Sequence, residues 1–266
     1  MRWSEQKCQV PSAKGQGWSA SRVLKRTFLP WNLAPGTWPF YDRSVSPFLN
    51  PAYIISVLIA ISVHECAHAW TASRLGDPTA KNEGRLTLNP IAHLDPMGAL
   101  MFLIVGFGWA RPVPVNPAYF HHPKRDTALV ALAGPVSNLL LSIIVFVLLL
   151  LLSGHTPALY DLFGASEGSV GMKLLSGILQ SSLFVNLALM AFNLFPIAPL
   201  DGSKIVSMFV PIHLEDRYED IMRVGPFILL GLIIAEQVLP VAILSGWVHG
   251  IMDAVLSVMQ WVTTLG

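Results

Sequence analysis

Long apolar runs separated by short polar connections set the plan of this chain, and the length of each run decides what it can be. Pro51 to Leu75, Ala128 to Leu152, Leu174 to Leu200, Gly225 to Leu244 and Trp247 to Leu265 are near or above the about 20 residues a helix needs to cross a bilayer. Glu236 and Pro240 interrupt the fourth run, and the fifth is weakly amphipathic and fits either a crossing or a surface position. Met97 to Ala110 is as apolar but spans only 14 residues between Asp95-Pro96 and Arg111-Pro112, which predicts a re-entrant or buried segment. The first run stops at Gly76-Asp77-Pro78, a glycine cap followed by proline. Thr79 to Pro90 alternates apolar and polar residues around Gly84, which predicts a short β-hairpin. The expectation is an all-α polytopic membrane protein of about five to six transmembrane helices, with a short re-entrant or hairpin segment after the first.

Residues 1–49 are polar and rich in Pro, Gly and Trp, with no apolar run of signal-peptide length. They are expected as a polar tail or surface-lying segment. Residues 50–210 then form the catalytic core and 211–266 the C-terminal membrane segments.

Composition agrees with a membrane protein. Hydrophobic residues make up 53% and charged residues 12%, against roughly 25% charged in soluble proteins. A net charge of +1 offers no basic surface for nucleic acid. Two cysteines, Cys8 and Cys66, cannot build a disulfide framework.

The chemistry sits in the first run, where His64-Glu65-Cys66-Ala67-His68 gives the order H-E-x-x-H. On a helix this spacing stacks two imidazoles on one face, where they share a metal, and leaves Glu65 beside them to take a proton from water. Ionisable groups at the bilayer centre cost about 3 kcal/mol each on insertion scales, so such a cluster implies a function. The bland alternative is a helix that ends early, with its histidines at the headgroup level. Cys66 lies two residues from each histidine and so points away from their shared face, as a packed thiol.

A catalytic zinc takes three protein ligands and leaves a position open. Asp201, Glu236 and Asp253 are the acidic groups in or beside the remaining apolar runs. Asp201 is favoured, because Pro196 and Pro199 break the helix before it and Gly202 lets the backbone turn its carboxylate inward. Its alternative role is the N-cap of a helix from Ser203 onward.

If Asp201 meets the histidines, all three lie at one depth. Each is near the C-terminal end of its apolar run, so the two helices run in the same direction with an odd number of crossings between them. Ala128 to Leu152 supplies one and Met97 to Ala110 none. Arg74, Lys81, Arg85, Arg111, Lys124 and Arg125 then share the cytoplasmic side, as the positive-inside rule favours, while 153–173 lies outside. The same arrangement leaves the basic residues of 1–49 outside, against that rule.

Taken together, His64-Glu65-x-x-His68, Gly134-x-x-x-Asn138 and Asn193-x-x-Pro196-x-x-Pro199-Leu200-Asp201-Gly202 resemble the site-2 proteases, zinc metalloproteases that cut within membranes. Gly84-Arg85-Leu-Thr-Leu-Asn89-Pro90 looks like the compact prokaryotic branch, without an appended PDZ or CBS domain. The resemblance covers roughly residues 50–210. It implies one zinc ion held by His64, His68 and Asp201, with Glu65 as general base. It also implies Asn193 as a hydrogen-bond donor near the scissile carbonyl, and pairing of the 79–90 hairpin, including Asn89, with an unwound substrate. Asn138 is read as a packing or substrate-side group, and Asn193 has the duller alternative of an interhelical hydrogen bond.

The resemblance further implies a substrate with a transmembrane helix, a prokaryotic cytoplasmic membrane and a site toward the cytoplasmic side. The rival reading is a metal-binding membrane transporter, or a protease-like protein that does not cut; the intact Glu65 speaks against it. His93 is expected at the membrane surface rather than behind the metal ligands, and His121, His122, His155, His213 and His249 lack ligand spacing.

Overall fold

Helix α1 (Pro51–Arg74) starts at a cap legible in the sequence: the Asn50 side chain accepts the Ala52 N–H at 2.9 Å, with proline in the first turn. It stops at Leu75, followed by Gly76 at φ +106°, a conformation glycine adopts without strain. The computed structural model describes residues 50–105, 108–155 and 170–264. The expected N-terminal tail and much of the 153–173 connection lie outside the described residues.

Residues 79–90 correct the hairpin expectation. They form a helical turn α2 (Thr79–Asn82), a bend, and the start of a second turn α3 (Pro90–His93). Capping decides the outcome: Asp77 accepts the Thr79 N–H at 2.9 Å and Asn89 accepts the Ile91 N–H at 3.1 Å, so each turn begins on a side-chain oxygen. Among the described residues the β pairing is one isolated antiparallel bridge, Leu94 to Ala110.

That bridge ties together the two ends of the segment that holds the next helix. Helix α4 (Pro96–Val105) has ten residues, about 15 Å of rise and half of a crossing. Its Phe102 ring stacks on Tyr53 in the first turn of α1, with centroids 6.1 Å apart. The chain then returns against its own start, so close that a Cβ on Gly98 would lie 2.1 Å from the Trp109 carbonyl oxygen. At ten residues the helix is not among those long enough to cross a membrane, in line with the expectation for 97–110.

Helix α5 (Pro123–His155) begins five residues before the apolar run, because Asp126 reaches back to accept the His122 N–H at 3.0 Å. Helix α6 (Val170–Asn193) packs with α1 and α5 into a three-helix centre. Lipid is as apolar as leucine, so small residues and interhelical hydrogen bonds bring such helices together. Ala60, Ala69 and Ala72 of α1 are fully buried, and Ser56 of α1 donates to the Ile178 carbonyl of α6 at 3.0 Å.

After α6 the chain turns sharply into the short helix α7 (Asp201–Ser207). Polar α8 (Glu215–Arg223) meets α9 (Gly225–Val238) at a bend, the pair Ile212–Arg223 and Gly225–Val238 standing at 50°. Glu236 accepts the Leu244 and Ser245 N–H groups and so caps the last helix, α10 (Leu244–Thr264). Helix α10 completes a core with α5 and α6 through Phe146, Leu183, Leu187, Met252 and Leu256.

The described residues are helical, with three helices long and apolar enough to cross a membrane: Pro51–Arg74, Pro123–Leu151 and Leu174–Asn193. The bent pair makes a fourth if it counts as one span. Outward-facing Leu140, Ile144, Leu151 and Phe227 are exposed, as side chains in contact with lipid are.

Candidate metal centre

One helical turn separates His64 from His68 on α1, and both are buried. Their Nε2 atoms lie 3.0 Å apart. Asp201 enters from the first turn of α7, its Oδ2 being 3.1 Å from His64 Nε2 and 3.2 Å from His68 Nε2. Three ligand atoms around a tetrahedral zinc at about 2.0 Å stand about 3.3 Å from one another, so this triangle has the required size.

Protonation adds a stronger constraint. The Asn138 Nδ2 donates to the Ala60 carbonyl at 3.2 Å and to Asn186 Oδ1 at 2.8 Å, so its Oδ1 faces His64 as an acceptor. His64 Nδ1 therefore carries the proton and donates it to Asn138 at 2.6 Å. His68 Nδ1 donates to the Val130 carbonyl at 2.7 Å. With both Nδ1 atoms engaged, the two Nε2 atoms are left to face the Asp201 carboxylate, and three potential ligand atoms converge on one point. Two imidazole nitrogens and a carboxylate oxygen at this spacing are a donor set that fits zinc.

Local backbone explains the approach. A Cβ on Gly134 would lie 2.5 Å from His64 Cε1 and His68 Nε2, so only glycine lets α5 pass here. Pro135 follows inside the same helix, one turn after the Val130 carbonyl that receives His68. At the other side, a Cβ on Gly202 would meet the Leu194 and Phe195 carbonyl oxygens at 2.4 Å. Tyr218 of α8 donates to the Ser203 carbonyl and holds α7 from behind. Asp201 is itself the first residue of α7, preceded by Leu200 with no side-chain cap, so its carboxylate is free for the histidines.

Glu65 lies beside this cluster, half-buried, and its Oε2 accepts the Val113 N–H at 3.2 Å. The carbonyl of that same peptide unit, on Pro112, lies 3.4 Å from Arg85 Nη2, which also donates to the Arg111 carbonyl at 2.5 Å. Burial pushes the Arg85 guanidinium below its ordinary value, with neighbouring Arg111 acting in the same direction. Arg85, the 112–113 peptide and Glu65 form a chain that aims the carboxylate.

The other sequence candidates separate cleanly. Asn138 is fully buried, and both ends of its amide are bonded to His64, Ala60 and Asn186. Asn193 is half-buried and its Nδ2 donates to the Leu189 carbonyl one turn back at 3.0 Å. Asn89 is exposed and caps α3. Glu236 is engaged in capping and Asp253 is exposed, which leaves Asp201 as the third acid at the histidines. His93 corrects the surface expectation; it is fully buried, with Nε2 donating to the Thr87 carbonyl at 2.8 Å. Cys66 is half-buried and free. Sequence reasoning missed Asn186 and Val130, because a carbonyl or a lone amide in an apolar helix carries no motif, and it saw Arg85 only as part of the 84–90 stretch and as a basic residue.

No solved structure matches the chain significantly. The Bacillus subtilis (strain 168) protein named "Putative zinc metalloprotease YwhC" is 44% identical over 172 residues, 65% of this chain and 73% of that protein. "Putative zinc metalloprotease Rip2" of Mycolicibacterium smegmatis is 36% identical over 150 residues, 54% of this chain and 52% of its own length. The Mycobacterium tuberculosis (strain H37Rv) protein of the same name is 29% identical over 201 residues, 73% of this chain and 68% of that protein. The profile of peptidase family M50 matches residues 52–232, more than half of the chain, and α1, α5, α6 and the converging His64, His68 and Asp201 all fall within or across that span. On that match the chain belongs to peptidase family M50, the site-2 protease family of zinc metallopeptidases.

Proposed function

We propose that this chain is an intramembrane endopeptidase that hydrolyses peptide bonds in or near the transmembrane segments of other membrane proteins, as in regulated intramembrane proteolysis. His64, His68 and Asp201 hold one zinc ion, and Glu65 is the general base. The observation that carries this reading is the convergence of three potential ligand atoms within 3.0–3.2 Å, two of them on a helix long and apolar enough to cross a bilayer.

When bound, zinc lowers the pKa of an attacking water toward neutrality and polarises the scissile carbonyl. Glu65 accepts the proton of that water and passes it to the departing amide nitrogen. The Val113 N–H bonds Oε2 and holds the carboxylate in one orientation while it does so. Asn193, at the end of α6, offers its amide toward the carbonyl oxygen of the substrate. A substrate helix has its backbone bonds already made, so it must unwind before it is cut. The exposed Leu88 and Asn89 form the rim along which we assign the unwound stretch.

Helix α10 makes a further crossing in this reading, for a total of five with the bent pair. Helices α1 and α6 then run in the same direction with α5 between them. That puts the site toward the cytoplasmic side of a prokaryotic cytoplasmic membrane, where Arg74, Lys81, Arg85, Arg111, Lys124 and Arg125 lie.

Detergent-purified protein and a helical model substrate test the proposal. Wild type cleaves and Glu65→Gln does not, although it keeps its zinc. Equal cleavage by the two would overturn the base assignment, and full zinc occupancy in Asp201→Ala would remove that ligand.

A further inference from the structure

We infer that Asn186 of α6 is a positioning residue for the metal: through Asn138 it fixes which nitrogen of His64 carries the proton. The inference rests on the metal reading above and extends it one helix further out.

An asparagine side chain turned by 180° exchanges donor and acceptor at almost no steric cost, so its orientation is set by what surrounds it. If Asn138 turned, its NH2 would face His64 Nδ1, which would then have to be the bare nitrogen. The proton would move to Nε2 and point at Asp201 and His68. A zinc ligand cannot be protonated at the ligating atom, so metal binding would have to reverse the exchange.

Asn186 prevents the turn. Its Oδ1 accepts from Asn138 Nδ2 at 2.8 Å, so only the amide nitrogen of Asn138 fits on that side. Asn186 is oriented in turn, because its Nδ2 donates to the Ser182 carbonyl at 2.8 Å and a main-chain oxygen accepts only. The chain Ser182 carbonyl, Asn186, Asn138, His64 therefore has a single polarity, fixed at its far end by backbone. Both asparagines are fully inaccessible to solvent, so no water can take over either role. The Ala60 carbonyl supports the same orientation, but at 3.2 Å it is the longer of the two acceptors on Asn138 Nδ2.

A packing role would give the same contacts, and the two roles differ in what they move. Interhelical hydrogen bonds in membranes contribute modestly to stability wherever they lie. Only a positioning role changes the affinity for metal.

The test is titration of metal-free, full-length protein in detergent with zinc against a competing chelator, and with cobalt read by its visible spectrum. Thermal midpoints of the metal-free forms are recorded in parallel. Asn186→Leu removes the acceptor, and zinc affinity is expected to fall about tenfold, the low end of the 10–100-fold loss for outer partners of metal ligands. The cobalt bands should change as the site geometry loosens. Asn186→Asp, neutral in this buried position, restores an acceptor for Asn138 and an O–H donor for Ser182, and should bind within about threefold of wild type. If Asn186→Leu does not fold, Asn186→Ala replaces it.

Wild-type zinc affinity in the Leu or Ala variant, with only the thermal midpoint lowered, overturns the inference, as does an Asp variant as weak as Leu. If wild type itself binds no zinc, the metal reading fails; if wild type binds tightly and the Asn186 variants bind equally well, only the role of Asn186 fails.

Discussion

Gly134 and His68 are so close that a single methyl group on the glycine would lie 2.5 Å from the imidazole Nε2, far inside van der Waals contact. The carbon would stand against the face on which the metal ligands meet. Gly134→Ala is therefore expected to push α5 away from α1 and to lower zinc content after dialysis by at least about tenfold, the range seen when support of a metal ligand is lost. Gly231→Ala is the control, since its Cβ would meet nothing within 4 Å and a helical Gly→Ala change is stabilising by about 0.5–1 kcal/mol. Metal analysis of the two purified variants checks the pair.

Glu65→Gln keeps the shape of the side chain and loses the base. Cleavage is expected to fall by about 10²–10⁴-fold, the contribution of a positioned general base. Zinc content should stay at the wild-type level, because Glu65 is not one of the three converging ligands. Single-turnover cleavage together with metal analysis separates the two effects.

Arg85 acts on Glu65 through one peptide unit. Arg85→Met removes the donor to the Arg111 and Pro112 carbonyls and frees the peptide whose N–H holds Glu65. The expected result is a loss of about tenfold in kcat, about 1.4 kcal/mol, with KM and zinc content little changed. A fall in zinc content equal to the fall in activity would show that Arg85 supports the fold of the site as a whole.

Glu236→Ala removes the cap of α10, and loss of a helix cap costs about 0.5–2 kcal/mol. The thermal midpoint of the metal-free protein should drop while zinc affinity holds, because the carboxylate serves the Leu244 and Ser245 N–H groups and no metal ligand.

Much of the centre was legible because its chemistry follows helical spacing. The period of α1 puts His64 and His68 on one face, and Pro196, Pro199 and Gly202 announce a break that turns Asp201 inward. The long apolar helix between the two, α5, was legible from segment length. The hairpin was misread because alternation in 79–90 competes with caps. Asp77 and Asn89 each seize an N–H two residues on and start a helical turn, a local bond that needs no partner strand. Asn186 was not legible at all, since its role exists only once α1, α5 and α6 are packed and three amide dipoles have been forced into one direction.

The Trp247 indole N–H donates to the Ala191 carbonyl at 2.9 Å, and its ring packs edge-on against Phe195 with centroids 5.6 Å apart. Trp247 stands beyond residue 232, where the family match ends, yet it grips the last turn of the rod from which Asp201 is delivered. The residues that hold the third ligand in place thus extend past the stretch that contains the ligands. A version trimmed to the recognisable portion would retain every ligand and lose the clamp that keeps the third one in place.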